Sequence, residues 1–247
     1  MTLDAFLAWA LPQRGLRWRG FRRNRRQVYR RLQTRISELG LAGCDAYRAY
    51  LAEHPDEWAA LDALCRVTIS RFARDREMWM TLVRDVLPRF PSPIRAWSAG
   101  CGAGEEPFTL AIAWPEAEIL ATDIDDVQLA RAAAAVFPLP ALRELPPAWR
   151  AAAFDERGDE ATLRDAFLAR VRFVHHDLRT APPAGPFDLV LCRNLAYSYF
   201  DELSQDKLTA SLRGVMRAGS VLVVGGDERL TDERDFAPQS LGIYIAR

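Results

Sequence analysis

One stretch constrains the fold more than any other: Trp97-Ser-Ala-Gly100-Cys-Gly102-Ala-Gly104-Glu105-Glu106-Pro107. The apolar run Ile94–Ala99 reads as a buried strand, and Glu105–Trp114 reads as a helix. Glycines between a strand and a helix let the backbone turn tightly and come close to a ligand. Nineteen residues after Gly104, at the end of Ile119-Leu-Ala-Thr-Asp123, stands a carboxylate placed to accept both hydroxyls of a ribose. The dinucleotide pattern GxGxxG is not completed, because Gly100 and Gly102 fit but the third position is Glu105. A pyrophosphate at that helix N-terminus would be repelled by Glu105 and Glu106. S-adenosylmethionine carries a sulfonium and an ammonium and no phosphate, and so suits the two acids.

Around this loop the chain alternates between short apolar runs and helical stretches. Candidate strands are Ile94–Ala99, Glu118–Thr122, Val171–His175, Phe187–Cys192, Ser220–Gly225 and Gly242–Ala246, and candidate helices are Glu105–Trp114, Val127–Ala135, Thr162–Ala169 and Gln205–Met216. Such alternation predicts right-handed crossovers and a mostly parallel, Rossmann-like α/β sheet. No helix pattern separates the last two strands, so an antiparallel strand is expected at the C-terminal end. Proline-rich Pro138–Gly158 reads as a surface excursion. Before Ile94 the chain reads as all-helical: Val28, Leu32, Ile36 and Leu39 recur at helical spacing before Gly40, and further helices are expected at Asp45–Ala52, Glu57–Val67 and from Asp75. The expected organisation is a small helical N-terminal domain at 1–87, a proline-flanked linker at 88–93 and the α/β domain at 94–247.

Composition narrows the function classes. The 247 residues carry 33 basic and 33 acidic side chains, so bulk charge favours neither nucleic acid nor an anionic membrane. No apolar run approaches the roughly 18–20 residues of a membrane span, and the first residues carry no basic start before an apolar run, so neither membrane insertion nor a signal peptide is expected. Cys44, Cys65, Cys101 and Cys192 lie 21, 36 and 91 residues apart, which is no zinc spacing and suits free thiols in a reducing cytoplasm. No metal site is expected. One region is strongly biased: Arg14 to Arg35 holds ten arginines and no acid, with few aromatics for base stacking, so an acidic protein surface is expected there rather than nucleic acid.

Two further segments fall at carboxyl ends of later strands, where this fold class places ligand contacts. They are His175-His176-Asp177-Leu178 and Cys192-Arg193-Asn194. Asp177 is a candidate acceptor for an adenine amino group, and Arg193 and Asn194 are candidates to lie under the transferring methyl.

With these segments assembled, the chain resembles the CheR family of chemotaxis receptor methyltransferases, which methylate receptor glutamates. The resemblance rests on Trp97–Pro107, Asp123-Ile-Asp125, Phe187-Asp-Leu-Val-Leu-Cys-Arg-Asn194, Tyr199-Phe-Asp201, Ile243-Tyr244 and the arginine-rich leading helices. It implies S-adenosylmethionine as cofactor and S-adenosylhomocysteine as product. It also implies that Arg74 holds the methionine carboxylate with Thr68 and Ser70 beside it, that Gly100 and Gly102 line the cofactor, and that Glu105 faces the amino group. Asp123 then takes the ribose, Asp177 and Leu178 border the adenine, Arg193 and Asn194 close the site, and Tyr199 sits by the acceptor. Arg74, Arg193 and Tyr199 are the expected catalytic group, and Arg22, Arg25, Arg26 and Arg30 the expected surface for an acidic receptor helix.

The family usually reads Asn-Glu-Thr-x-Phe-Phe-Arg where this chain has Thr68-Ile-Ser-Arg-Phe-Ala-Arg74. Four residues instead of three separate Asn194 from Tyr199, leaving Tyr197 and Tyr199 as alternatives for the site tyrosine, and Gly-His-Ser-Glu becomes Gly225-Gly-Asp-Glu228. Some relatives carry a small β subdomain that grips a receptor tail; the corresponding Asp155–Arg170 reads as short and helical, so none is expected. A carboxylate acceptor is ionised at neutral pH and needs no general base. Two alternatives remain: a methyltransferase acting on a small molecule or another protein, with His176 as base, and a non-catalytic cofactor-binding module.

Overall fold

Seven strands form one sheet in the computed structural model, which describes residues 1–68 and 70–247. They are β1 (Ile94–Ala99), β2 (Ala117–Asp123), β6 (Val171–His175), β7 (Phe187–Leu191), β8 (Met216–Val223), β9 (Phe236–Ser240) and β10 (Ile243–Ala246), in the spatial order β6-β2-β1-β7-β8-β10-β9. The first five are mutually parallel, and β10 runs antiparallel to both β8 and β9. The antiparallel C-terminal strand was expected; β9 was not, because Phe-Ala-Pro-Gln-Ser has neither alternation nor an apolar run. The strand order reverses at β1, between β2 and β7, and ligands of open α/β sheets bind outside the carboxyl ends at such a point. The glycine loop leaves β1 there.

β1 is buried at every position but Arg95, as a central strand covered on both faces must be. Helices α6 (Glu105–Ala113), α7 (Asp126–Ala134) and α11 (Glu202–Gly214) supply crossovers. The Asp125 carboxylate caps α7 by accepting from the Val127 and Gln128 amides at 3.0 and 3.3 Å.

A second sheet corrects the sequence reading of 136–169. Strands β3 (Val136–Pro138), β4 (Phe154–Arg157) and β5 (Glu160–Leu163) pair antiparallel in the order β3-β5-β4, with α8 (Pro147–Ala153) between β3 and β4. Only α9 (Asp165–Leu168) survives of the helix expected at Thr162–Ala169. A β subdomain is therefore present where none was expected. Its strands are three or four residues long, too short to show alternation, and distant aromatics hold them: Phe137 and Phe154 pack on Phe72 with ring centroids 4.8 and 5.1 Å away.

The chain forms two compact units: Met1–Val67 with Ser198–Gln205, and Thr68–Tyr197 with Asp206–Arg247. The expected boundary at 87 lies later than this division. Helix α5 (Arg76–Thr81) and the wider and tighter turns through Arg89 bury Met78, Trp79, Leu82, Val86 and Leu87 in one core with Ile94, Ala96 and Leu189. Pro88 sits in the first positions of the tight turn Leu87–Arg89 that closes the run.

The first unit is helical: α1 (Leu3–Ala10), α2 (Arg25–Glu38), α3 (Cys44–Glu53) and α4 (Glu57–Leu64). Val28, Leu32 and Ile36 form the buried stripe of α2, and Gly40, with φ +66°, follows its end. Several arginines expected on the surface instead hold this unit together. Arg35 grips Glu57 with two bonds of 2.9 and 2.7 Å, and Tyr47 donates to the same carboxylate at 2.8 Å. Arg31 donates to the carbonyls of Leu64, the last residue of α4, and of Arg66 just past it, and Arg14 donates to Asp62.

Arg35→Ala is expected to destabilise the protein by about 2 kcal/mol in urea titration, since it leaves a nearly buried carboxylate with one neutral partner. Arg35 holds the Glu57 carboxyl below its ordinary value against the opposing push of burial, with Tyr47 helping. Its folded value is below its unfolded one, so this stability is present above the unfolded carboxyl range and lost as pH falls through the folded value. The acid unfolding midpoint of Arg35→Ala should accordingly move to higher pH.

Candidate active site

The loop after β1 is fixed by its neighbours. The Gly100 and Cys101 amides donate to the Thr122 carbonyl at 2.8 and 2.9 Å, and the Gly102 amide donates to Asp123 Oδ2 at 2.8 Å. Asp123 Oδ1 accepts from the Asp125 amide at 2.9 Å, so this carboxylate ties the loop to the end of β2. Gly100 and Gly102 have φ +83° and +55°, and a Cβ at Gly102 would meet nothing within 4 Å. A Cβ at Gly100 would sit 2.2 Å from Leu195 Cδ2 and 3.8 Å from Leu178 Cδ1. The loop thus has one packed side at Gly100 and one open side at Gly102.

The two acids that open α6 differ in environment. Glu106 accepts from Ser98 Oγ at 2.8 Å and from Arg193 Nη1 at 3.2 Å. Glu105 is 6 % exposed, and its Oε2 has no hydrogen-bond partner among the described residues. Burial pushes the Glu105 carboxyl above its ordinary value, opposed by Arg131 and a bond from Ser70. Only Glu105 therefore remains to meet a cation, which narrows the charge argument made from both acids. A buried carboxylate oxygen without a partner costs free energy unless a ligand supplies the donor.

Arg193 is taken up inside the protein. Its Nη2 donates to Asp75 Oδ2 and to the Arg74 carbonyl, each at 2.8 Å, and its guanidinium carbon lies 5.7 Å from the Trp79 ring centre. Asn194 has φ +56°, and its amide, with that of Gly225, donates to Glu228 Oε2, both at 2.7 Å. Glu228 joins the ends of β7 and β8 and was missed as a site residue; its place at the end of Gly225-Gly-Asp-Glu228 was the available signal. Glu106, expected with Glu105 to face the ligand cation, is held by Arg193 instead, and Asp75 and Thr109 were missed because each acts through a partner far away in sequence.

Asp177 holds Arg179 through its side chain at 2.8–3.1 Å and its amide at 2.9 Å. Burial pushes the Asp177 carboxyl up, but the Arg179 bonds outweigh it and the net direction is down. His176 Nε2 lies 2.9 Å from the Ala181 carbonyl, and its Nδ1 is buried without a partner among the described residues, so neither nitrogen is placed as a solvent-reachable base. Burial raises the Cys101 and Cys192 thiols, which excludes them as nucleophiles. Tyr197 is 3 % exposed with its hydroxyl 2.9 Å from Thr209 Oγ1, whereas Tyr199 lies in the first unit, where Asn24 Nδ2 donates to its hydroxyl at 3.1 Å. Thr68 and Ser70 flank position 69, which lies outside the described residues.

Of the expected docking arginines, Arg25 lies 3.6 Å from Asp4 and 5.4 Å from the Trp18 ring centre. Arg22, Arg26 and Arg30 are exposed and make no ion pair among the described residues. No described helix is long and apolar enough to cross a membrane.

Comparison with known proteins agrees with this geometry. Residues 68–244 match the family described as CheR methyltransferase, SAM binding domain, and residues 22–63 match CheR methyltransferase, all-alpha domain. A chemotaxis protein methyltransferase of Listeria innocua is 32% identical over 74% of this chain and 73% of its own length. Those of Klebsiella aerogenes and Salmonella typhimurium are 29% and 26% identical, each over 89% of this chain, and over 81% and 82% of their own lengths. With the glycine loop, Asp123 and Glu105 arranged at the switch point of the sheet, the chain belongs to the CheR methyltransferase family and is an S-adenosylmethionine-dependent methyltransferase.

Proposed function

We propose that the chain transfers the methyl group of S-adenosylmethionine to glutamate carboxylates on an acidic helical segment of a chemotaxis-type receptor. The observation that carries the acceptor class is the exposed set of Arg26 and Arg30, one turn apart on α2, with Arg22 exposed just before the helix, left over after Arg14, Arg31 and Arg35 are used inside the helical unit. A positive stripe raises the encounter rate with a negative helix and fixes its register. The four free cysteines support a reducing, cytoplasmic location.

The protein's own groups have separate tasks in this reading. Asp123 receives the ribose hydroxyls, and a carboxylate oxygen accepts more than one bond, so its anchoring of the loop does not prevent this. Glu105 meets the amino group, Arg74 the methionine carboxylate with Thr68 and Ser70 beside it, and Asp177 and Leu178 border the adenine. Gly102 brings bare backbone to the ligand, Gly100 lets the loop turn against Leu195 beside it, and Asn194 closes the site. Bound S-adenosylmethionine supplies an electrophilic methyl on a sulfonium. The acceptor carboxylate is ionised at neutral pH and forms the new C–O bond as the C–S bond breaks, with no proton to remove. Opposite charges cancel in that step, so alignment in a dry site favours it without a base.

Incubation with methyl-labelled S-adenosylmethionine and an acidic receptor helix should give label that mild base releases as methanol. Label that resists base, or that appears only on small phenols or amines, would refute the carboxylate assignment. The double variant Arg26→Glu/Arg30→Glu should lose about tenfold or more in kcat/KM for the receptor, mostly in KM, with unchanged affinity for S-adenosylhomocysteine. Unchanged methylation would remove the stripe from the docking surface.

A further inference from the structure

Arg74 sits in an unusual backbone. Its neighbours Ala73 and Asp75 have φ +49° and +63°, the left-handed region that non-glycine residues rarely adopt. Two such residues around one position persist only where the surroundings hold them. The restraints come from two directions. The Ala73 amide donates to Thr109 Oγ1 at 3.0 Å, and that hydroxyl donates to the Glu105 carbonyl at 2.6 Å, within the first turns of α6. From the end of β7, Arg193 reaches the Arg74 carbonyl and the Asp75 carboxylate while resting on Glu106. The Arg193 side chain is 3 % exposed, and its two terminal nitrogens are both engaged within the protein.

From this geometry we infer that the Arg193 guanidinium is a positioning residue: braced on Glu106, it clamps the Ala73-Arg74-Asp75 turn and so sets the backbone from which Arg74 reaches the methionine carboxylate. The inference rests on the proposed role of Arg74. It assigns Arg193 a different task from the direct cofactor and catalytic contact implied by family resemblance, and it brings Glu106, Asp75 and Thr109 into the machinery that shapes the site. A planar fork bridging a carboxylate on one side and a carbonyl and a carboxylate on the other is a task for which lysine, with one nitrogen, is no substitute.

The test compares two ligands by calorimetry: S-adenosylhomocysteine, and 5′-methylthioadenosine, which keeps the nucleoside and thioether but lacks the amino acid portion. Arg74→Ala should weaken S-adenosylhomocysteine about 30-fold and leave methylthioadenosine within twofold. Arg193→Lys should weaken S-adenosylhomocysteine about tenfold, again sparing methylthioadenosine, and should add nothing in the Arg74→Ala background. Asp75→Asn keeps the shape and the tolerance of left-handed backbone, and should give about fivefold with the same ligand selectivity, which keeps the test decisive if Arg193→Lys does not fold. Equal losses for both ligands, or losses that add to that of Arg74→Ala, would overturn the clamp and leave Arg74 in place. An Arg74→Ala variant with normal S-adenosylhomocysteine affinity would overturn the role of Arg74 itself, and the clamp with it.

Discussion

Asp123→Ala is expected to lower the affinity for S-adenosylhomocysteine by about 100- to 10,000-fold in calorimetric titration. Two hydroxyl bonds to a carboxylate contribute about 1.5–3 kcal/mol each, and every 1.4 kcal/mol is a factor of ten. The carboxylate also receives the amides of Gly102 and Asp125, so its loss loosens the loop as well as removing the ribose acceptor. The two effects separate by ligand. A ribose contact predicts equal losses for S-adenosylhomocysteine and methylthioadenosine, because both carry the same ribose. The fold should persist, since the side chain is only partly buried at the rim of β2 and the sheet core lies below it. Normal binding by Asp123→Ala would show that the ligand lies elsewhere, however well the loop matches the family.

Glu105→Gln should weaken S-adenosylhomocysteine by about 30- to 100-fold, corresponding to the loss of a charge-assisted bond of about 2–3 kcal/mol. Methylthioadenosine, which has no ammonium, should bind almost as before. A second effect has the opposite sign. Burial raises the Glu105 carboxyl above 4.5 in the folded protein, with Arg131 and Ser70 opposing. The folded state therefore holds that proton more tightly than the unfolded chain does, and stability falls as pH rises through the window from 4.5 upward. As pH rises the buried carboxylate takes on its charge, and the cost of that buried charge grows. Glutamine removes it, so the ligand-free variant should melt at a higher temperature than the parent while binding the product worse. Ligand affinity of the parent should also fall in acid, with a midpoint above the ordinary glutamate range, and this dependence should be absent in Glu105→Gln. A variant that loses both stability and affinity would mark Glu105 as a structural group instead.

The parallel part of the sheet was readable because its strands carry apolar runs, most clearly in β1, which is buried on both faces, while the edge strand β6 shows the pattern through Val171, Phe173 and Val174. Ile94–Ala99 and Val171–His175 coincide with β1 and β6. The second sheet was not readable, because β3, β4 and β5 exist only through pairing with each other and through Phe72, Phe137 and Phe154 meeting from three separate parts of the chain. The division after Val67 was hidden for a related reason. Met78, Trp79 and Leu82 have the same helical spacing whether they pack on helices or on a sheet, and periodicity does not name the partner.

The site divides along the same line. The sequence alone determined the glycine loop, the acid at the end of the second strand and the acid that opens α6, because each is a local requirement of a strand–turn–helix unit around a ligand. The tertiary structure alone decided that Glu106 is held by Arg193 while Glu105 keeps a buried oxygen without a partner among the described residues, and that Arg31 and Arg35 hold the helical unit together. Spacing along a chain fixes which residues share a turn. Which charge ends up paired depends on groups 87 residues apart in the case of Glu106 and Arg193, and only the packed fold brings those together.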